Sequence, residues 1–232
     1  MDTRRDRQRA ALTSEIKSTA QRLMAEHGTA GVSLRLIARE LGMSAPSLYH
    51  YYASYDALIT ALLVDAFNAL ADELERHTEG QLPAAQRVLN VTLAFRSWAL
   101  RHPIDFQLIY GNPIPGYQAP RELTVPAVVR SYTIIAQLLE AALAGSEQHG
   151  TAEFSCIPET VAAHLAQMKQ ENSYDISSYV LHATLVLWTR MYGCVMLELY
   201  NHLQASVGDT DAFYRAQMIQ SLRAVGVELA SP

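Results

Sequence analysis

An all-α fold is predicted by three observations. Apolar residues recur at spacings of three and four almost throughout the 232-residue chain. No stretch alternates strictly over strand length, and the Gly and Pro residues fall for the most part between the periodic segments. The first helix is expected over Thr13 to His27, with Ile16, Ala20, Leu23, Met24 and His27 on one face and Gly28 placed to end it. Ser33 is an N-cap for a second helix that ends near Leu41, and Ser44 opens a short third helix that ends between His50 and Tyr52. Pro46 is tolerated in its first turn because the amide it lacks would be unpaired there.

Ser54 then caps a long fourth helix, with Asp56 favourably placed against its dipole, which continues to about His77. Pro83 to Arg101 reads as a fifth, and His102-Pro103 breaks it before a short helix containing Phe106, Leu108, Ile109 and Tyr110. Asn112 to Pro120, with three prolines and Gly116, is a loop. Glu122 to Ala144 is a further amphipathic helix, followed by a polar loop with Gly145, Ser146 and Gly150. Pro158 starts a helix reaching Met168, and two last helices span Ser177 to Leu203 and Thr210 to Leu229.

Half of the residues are apolar, so a chain of this length can bury a substantial core. The N-terminus carries Arg4, Arg5, Arg7 and Arg9 without the apolar stretch of a secretory signal, and a cytoplasmic protein is expected. Tyr179 to Tyr200 is strongly apolar, but His182, Arg190 and Glu198 make it too costly as a membrane span, so no membrane association is expected. Cys156 and Cys194 suggest neither a disulfide framework nor a zinc knuckle.

Charge is unevenly distributed. Up to Tyr55 there are eight Lys or Arg against five Asp or Glu, a net +3, whereas from Asp56 on there are ten against eighteen, a net −8. A basic head on an acidic body is the asymmetry expected if only the head meets phosphate. Two domains follow: residues 1–54 with a basic N-terminal arm, and a larger helical body over residues 55–232.

Leu34 to Tyr51 satisfies the demands of a helix-turn-helix in order. Ala38 is small where two helices must cross closely, and Gly42 supplies a left-handed turn without side-chain penalty. Ile37, Leu41, Met43, Leu48 and Tyr51 are spaced to lock the helices together. In such a unit the second helix enters the major groove with its first residues at the base edges, here Ser44, Ala45 and Ser47. Arg35 is a stronger polar candidate, and Tyr49 and His50 are placed for phosphate. Ser33, at a helix start, offers backbone amides to another phosphate. The arginines before Thr13 are expected as a flexible arm, either merely solvated or adding phosphate contacts.

Ser33-Leu34-Arg35-Leu36-Ile37-Ala38, Leu41-Gly42-Met43-Ser44 and Ser47-Leu48-Tyr49-His50-Tyr51-Tyr52 together resemble the TetR family of bacterial regulators over roughly the first quarter of the chain. His102-Pro103 with Phe106 and Tyr110-Gly111, and Trp188-Thr189-Arg190-Met191-Tyr192-Gly193, resemble the subgroup with a WHG-type ligand domain. In two places the sequence departs from the family pattern. Tyr55 stands where the family has a phosphate-binding lysine, leaving only a hydroxyl to donate, and Tyr192 replaces the histidine of the WHG triplet.

The resemblance implies a homodimer paired through its last two helices, a double-stranded DNA operator, and a small organic effector that changes the spacing of the two heads. A repressor released by that effector is the expected function, and a helical DNA-binding protein without ligand control is the alternative. Candidates for the effector pocket are Phe95, Trp98, Phe106, Tyr110, Tyr132, His164, Met168, His182 and Trp188, since aromatic walls with a few polar tips suit an organic ligand. Each of these residue types also suits plain core. An enzyme is not expected: His102 with Asp105, and Glu198 with His202, lack a third partner, and no phosphate loop, nucleophile elbow or dense His and Cys cluster occurs. No metal or cofactor is implied.

Overall fold

A computed structural model describes residues 4–111, 114, 116–144, 150, 151, 154, 157–172 and 175–229. Among them are eleven α-helices and a single 3-10 turn at Thr29–Gly31, with no strand. The helices are α1 (Arg4–His27), α2 (Leu34–Glu40), α3 (Ala45–Tyr49), α4 (Tyr55–Glu75), α5 (Ala84–Arg101), α6 (Pro103–Tyr110), α7 (Arg121–Leu143), α8 (Glu159–Asn172), α9 (Ser178–Leu199), α10 (Gln204–Val207) and α11 (Thr210–Ala224). Two compact units result: Met1–Ala69 with His102–Val128, and Leu70–Arg101 with Val129–Pro232.

The first unit is built around a single apolar cluster. Ile16, Ala20 and Leu23 of α1, Ile37 and Ala38 of α2, Leu48 of α3, and Leu58, Ile59 and Leu62 of α4 are all essentially buried. Each large side chain here contributes about 1.5–3 kcal/mol by leaving water. Ile104, Leu108 and Ile109 of α6 pack against the same cluster, and Gln21 donates to the Asp105 carboxylate at 2.5 Å. Burial raises the Asp105 carboxyl above the usual carboxylate range, partly offset by that bond and by His102. These contacts draw residues 55–69 and 102–128 to the same unit as the 1–54 segment, because α1 and α2 alone cannot cover their apolar faces.

The second unit centres on α9, which packs on α5, α8 and α11. Tyr214 of α11 is fully buried and donates its hydroxyl to the Thr92 carbonyl of α5 at 2.8 Å. Beside it, the Arg96 guanidinium holds Glu198 of α9 with two bonds of 2.7 Å and reaches Asp211 of α11 at 2.6 Å. Thr210 donates to the same Glu198 carboxylate at 2.7 Å. By length and composition α9 is the one helix among the described residues that could cross a membrane. Here Glu198 is engaged within the unit by Arg96 and Thr210, and Arg190 by Ser221 at 3.1 Å.

Several boundaries differ from the sequence reading, each for a local reason. The segment before Thr13 is helical rather than flexible: Arg4 to Leu12 contains good helix formers, no breaker, and Asp6 in the first turn. Helix α9 stops at Leu199 instead of Leu203, because Asn201 adopts a left-handed φ of 60° and His202 donates back to the Leu197 carbonyl at 2.8 Å. The final helix ends at Ala224 instead of Leu229 by the same device, with Gly226 at φ 88° and Val227 donating to Leu222. Helix α8 runs on to Asn172. Pro126 lies inside α7, in its second turn, where it removes only the bond to the Glu122 carbonyl. Asn112, Pro113, Pro115, Gly145, Ser146 and Cys156 lie outside the described residues.

The Arg96–Glu198 pair generates a stability prediction. Burial pushes the Glu198 carboxyl up, but the bonds from Arg96 and Thr210, with the Arg96 charge, outweigh it and hold the group below its ordinary value. A carboxyl depressed on folding adds stability that is present above its unfolded value and lost as pH falls through its folded one. Thermal unfolding followed by circular dichroism should therefore show the wild type losing stability as pH drops below about 4. Glu198→Gln should be less stable at neutral pH and flatter across that window, and Glu198→Ala, which leaves the Arg96 guanidinium only the exposed Asp211 as a charge partner, should cost more than Glu198→Gln.

Candidate nucleic-acid interface

Helix α2 begins at Ser33, whose hydroxyl accepts from the Leu36 amide, and buries Leu34, Ile37 and Ala38. It ends in a Schellman motif: Gly42, at φ 64°, donates to the Arg39 carbonyl at 3.2 Å, and Met43 donates to Ala38 at 2.8 Å. An L side chain in that conformation costs roughly 1–2 kcal/mol, which explains glycine at the reversal. The chain then enters α3, where Ser44 accepts from the Ser47 amide at 3.3 Å and the two hydroxyls bond each other at 2.7 Å. Only Leu48 of α3 is fully buried, so this five-residue helix is anchored by one side chain and turns the rest outward.

The sequence candidates fall on that outward surface with one exception. Ser33, Arg35, Ser44, Tyr49 and His50 are exposed, and Ala45 and Ser47 half-buried. Pro46, also exposed, joins them on α3, and the Arg9 guanidinium of α1 lies over the Tyr51 ring at 5.8 Å. The Arg9 stacking was not readable from local spacing, since the partners are 42 positions apart. Tyr55 is the exception. Its hydroxyl, expected to face a phosphate, instead donates to the Thr29 carbonyl of the 3-10 turn at 2.8 Å. Burial, with the Asp56 charge, pushes this phenol up to about 12. The tyrosine that replaces a lysine thus ties the start of α4 to the turn after α1.

The two family models that match this chain divide it in the same order: a model described as bacterial regulatory proteins, tetR family, over residues 16–62, and one described as Tetracyclin repressor-like, C-terminal domain, over residues 88–220. The HTH-type transcriptional regulator Rv1816 of Mycobacterium tuberculosis is 31% identical over 201 residues, covering 86% of this chain and 85% of its own. The chain belongs to the TetR family. The HTH-type transcriptional regulator Mb1846 of Mycobacterium bovis matches with the same identity and coverage. Among solved structures, that of SCO4313 superposes with a TM-score of 0.77 at 31% identity, over 95% of this chain and 99% of its own. A bacterial regulatory protein in the tetR family from Rhodococcus RHA1 shares the fold at 14% identity, with a TM-score of 0.64 over 94% of this chain and 98% of its own. This TetR-family member is a DNA-binding transcriptional regulator, and the helix-turn-helix at residues 34–51 lies within the matched N-terminal segment.

The residues expected around an effector are less uniform. Phe106 and Tyr110 belong by their contacts to the first unit, where their rings meet at 5.1 Å and Tyr110 lies edge-on to Phe67 at 5.9 Å. The other seven lie in the second unit, so the nine are divided between the two. Phe95 and Trp98 are buried in α5, whereas His164 faces solvent and Met168 is half-buried on α8. Tyr132 and Trp188 meet at 5.2 Å, and Tyr192 extends them by stacking on Trp188 at 5.5 Å. His182 packs on Phe154 at 5.1 Å, its Nδ1 is buried without a hydrogen-bond partner, and burial lowers its affinity for a proton. No cluster of His, Cys, Asp or Glu among the described residues is placed to hold a metal ion.

The inward bond of Tyr55 separates two roles that the sequence leaves joined. Tyr55→Phe should lower stability by about 1 kcal/mol, the net worth of one hydrogen bond, measured by denaturant unfolding. The affinity for DNA should not change, because the lost hydroxyl faces Thr29. A clear loss of affinity in the folded variant would instead place that hydroxyl on a phosphate.

Proposed function

We propose that this regulator is a ligand-responsive repressor that binds a near-palindromic operator as a homodimer and leaves it when a small organic effector fills the body. The observation that carries the reading is the exposed α3 surface, held outward by the Gly42 reversal and the Leu48 anchor. In this reading residues 1–54 are the DNA-binding domain, and residues 55–232 bind the effector and dimerise in the cytoplasm. Ser44, Ala45 and Ser47 approach base edges, while Ser33, Arg35, Tyr49 and His50 contact phosphate and flanking groups.

Dimerisation through α9 and α11 is supported by what α9 leaves uncovered. Leu185, Thr189, Gly193 and Leu197 recur every fourth residue along one face, and all but the half-buried Gly193 are exposed. Nothing lies within 4 Å of a Cβ built on Gly193, so another helix can approach closely there. Ala212 and Ala216 of α11 are exposed at the same spacing. Two recognition helices would then enter successive major grooves about one turn, roughly 34 Å, apart. The stacked Trp188 and Tyr192, with Tyr132 tilted against Trp188, and the unpartnered His182 nitrogen support a planar effector with a polar edge. By linkage, such an effector binds the free dimer more tightly than the DNA-bound one, and identical affinity for both would exclude the switch.

The test is selection of operator sites from random duplex DNA by the full chain, followed by titration against a scrambled duplex. A palindromic site taking two protomers is expected, with Arg35→Ala and His50→Ala each weakening binding about tenfold, or ~1.4 kcal/mol. Sequence-blind, salt-erased binding would overturn the reading. Leu197→Glu should convert the dimer to a monomer by light scattering and remove tight operator binding with it.

A further inference from the structure

Arg5, Arg9, Leu12, Ile16, Ala20 and Leu23 recur at spacings of three and four, so they form one stripe along α1. From Leu12 onward this stripe packs into the apolar cluster of the first unit. Above Leu12 the same stripe becomes arginine, and both arginines are exposed.

Arg9 also has a partner in the helix-turn-helix. Its guanidinium lies 5.8 Å from the centre of the Tyr51 ring, and Tyr51 follows the last residue of α3 by two positions. A guanidinium held over a ring by its charge retains five N–H donors for other partners. The neighbours of Tyr51 on the chain include the exposed His50 and, one further, the exposed Tyr49. Arg5 lies one turn, about 6 Å, further along the helix than Arg9. Residues 4–9 carry four arginines against the single acid Asp6, a net +3 in six positions. The cleft of about 470 Å³ alongside α1, which Arg9 also lines, balances Asp6 and Asp65 against Arg9 and Lys17, and does not by itself select an anion.

We infer that the N-terminal two turns of α1 are a helical phosphate-binding arm, with Arg9 against the Tyr51 ring and Arg5 beyond it, gripping DNA backbone that flanks the segment read by α3. This rests on the head binding DNA through α3, as proposed above. A duplex presents one negative charge per 1.7 Å of axis, and its sequence-independent affinity comes from cations set against it. A helical arm pinned by a ring meets that lattice already ordered, whereas a flexible tail of the same charge loses conformational freedom on binding. The operator therefore extends, in backbone contacts though not in base preference, beyond the base pairs that α3 reads.

The experiment uses the full chain and operator sites selected from random duplex by the wild type. Binding of the wild type and of the double variant Arg5→Gln, Arg9→Gln is titrated by fluorescence anisotropy between 50 and 200 mM salt, on a duplex with long flanks and on one trimmed to the selected site. Gln keeps the helix, and circular dichroism verifies this. On the long duplex the variant's slope of log affinity against log salt should fall by about 0.9 for each phosphate it no longer neutralises, so that its affinity deficit shrinks about 3.5-fold per phosphate over that fourfold rise in salt. On the trimmed duplex the two proteins should bind alike. Tyr51→Leu, which keeps an apolar side chain but removes the ring, should weaken binding to the long duplex more than to the trimmed one. Equal slopes on the long duplex, with specific binding intact, would overturn the arm and leave the regulator reading standing. Failure of the wild type to select any site would overturn both.

Discussion

The left-handed residue at position 42 decides where the surface of the first unit can point. With Gly42 closing α2 onto its own carbonyls, α3 leaves at an angle that lets a single buried leucine hold it. Everything exposed on α3 depends on that economy: five residues with one inward anchor leave the remainder for solvent or for DNA. A longer helix would bury a wider stripe, and a different turn would rotate the same residues into the core. The surrounding cluster from α1, α4 and α6 serves this arrangement by giving Leu48 something to bury against.

In the second unit the comparable role falls to a charge pair. Arg96, Glu198, Thr210 and Asp211 bring α5, α9 and the start of α11 to one point, next to the fully buried Tyr214. A buried ion pair of this kind is weak as a source of stability but strict about geometry, because each partner is costly to leave alone. It fixes the register of α9 against α11, and that register determines which residues of the two helices remain uncovered. The exposed Leu185 and Leu197 are a product of that register as much as of their own spacing.

Ten of the eleven helices among the described residues, and their order, were readable because the signals for them are local; the four-residue α10 (Gln204–Val207) was not expected. Ser33, Ser44, Ser177 and Asp209 all cap helices, and the first three mark starts that the sequence alone suggests. The helix-turn-helix was legible for the same reason, since its glycine, small residue and apolar positions fall within eighteen consecutive residues. Contacts across long separations were not. The inward hydroxyl of Tyr55 depends on a carbonyl 26 positions away, and Gln21 meets Asp105 across 84. The aromatic residues proposed for an effector pocket share their composition with ordinary core, so the sequence could not assign Phe106 and Tyr110 to the first unit. The last helices end earlier than their periodicity suggests because Asn201 and Gly226 reverse the chain within stretches that remain apolar on either side.

The shared use of one atom at Ser44 bears on how such a regulator changes targets over evolutionary time. Its hydroxyl caps α3 and also bonds Ser47, so a group that the proposed reading brings to the base edges is the one that starts the helix. Replacing Ser44 to alter base preference would uncap the helix in the same step, at a cost of about 1 kcal/mol. Inheritable drift in specificity is thereby channelled away from the cap toward Ala45, Pro46, Tyr49 and His50, whose side chains do not cap α3. A lineage descended from this protein can acquire new operators by exchanging those four side chains while the serine that begins the helix stays unchanged.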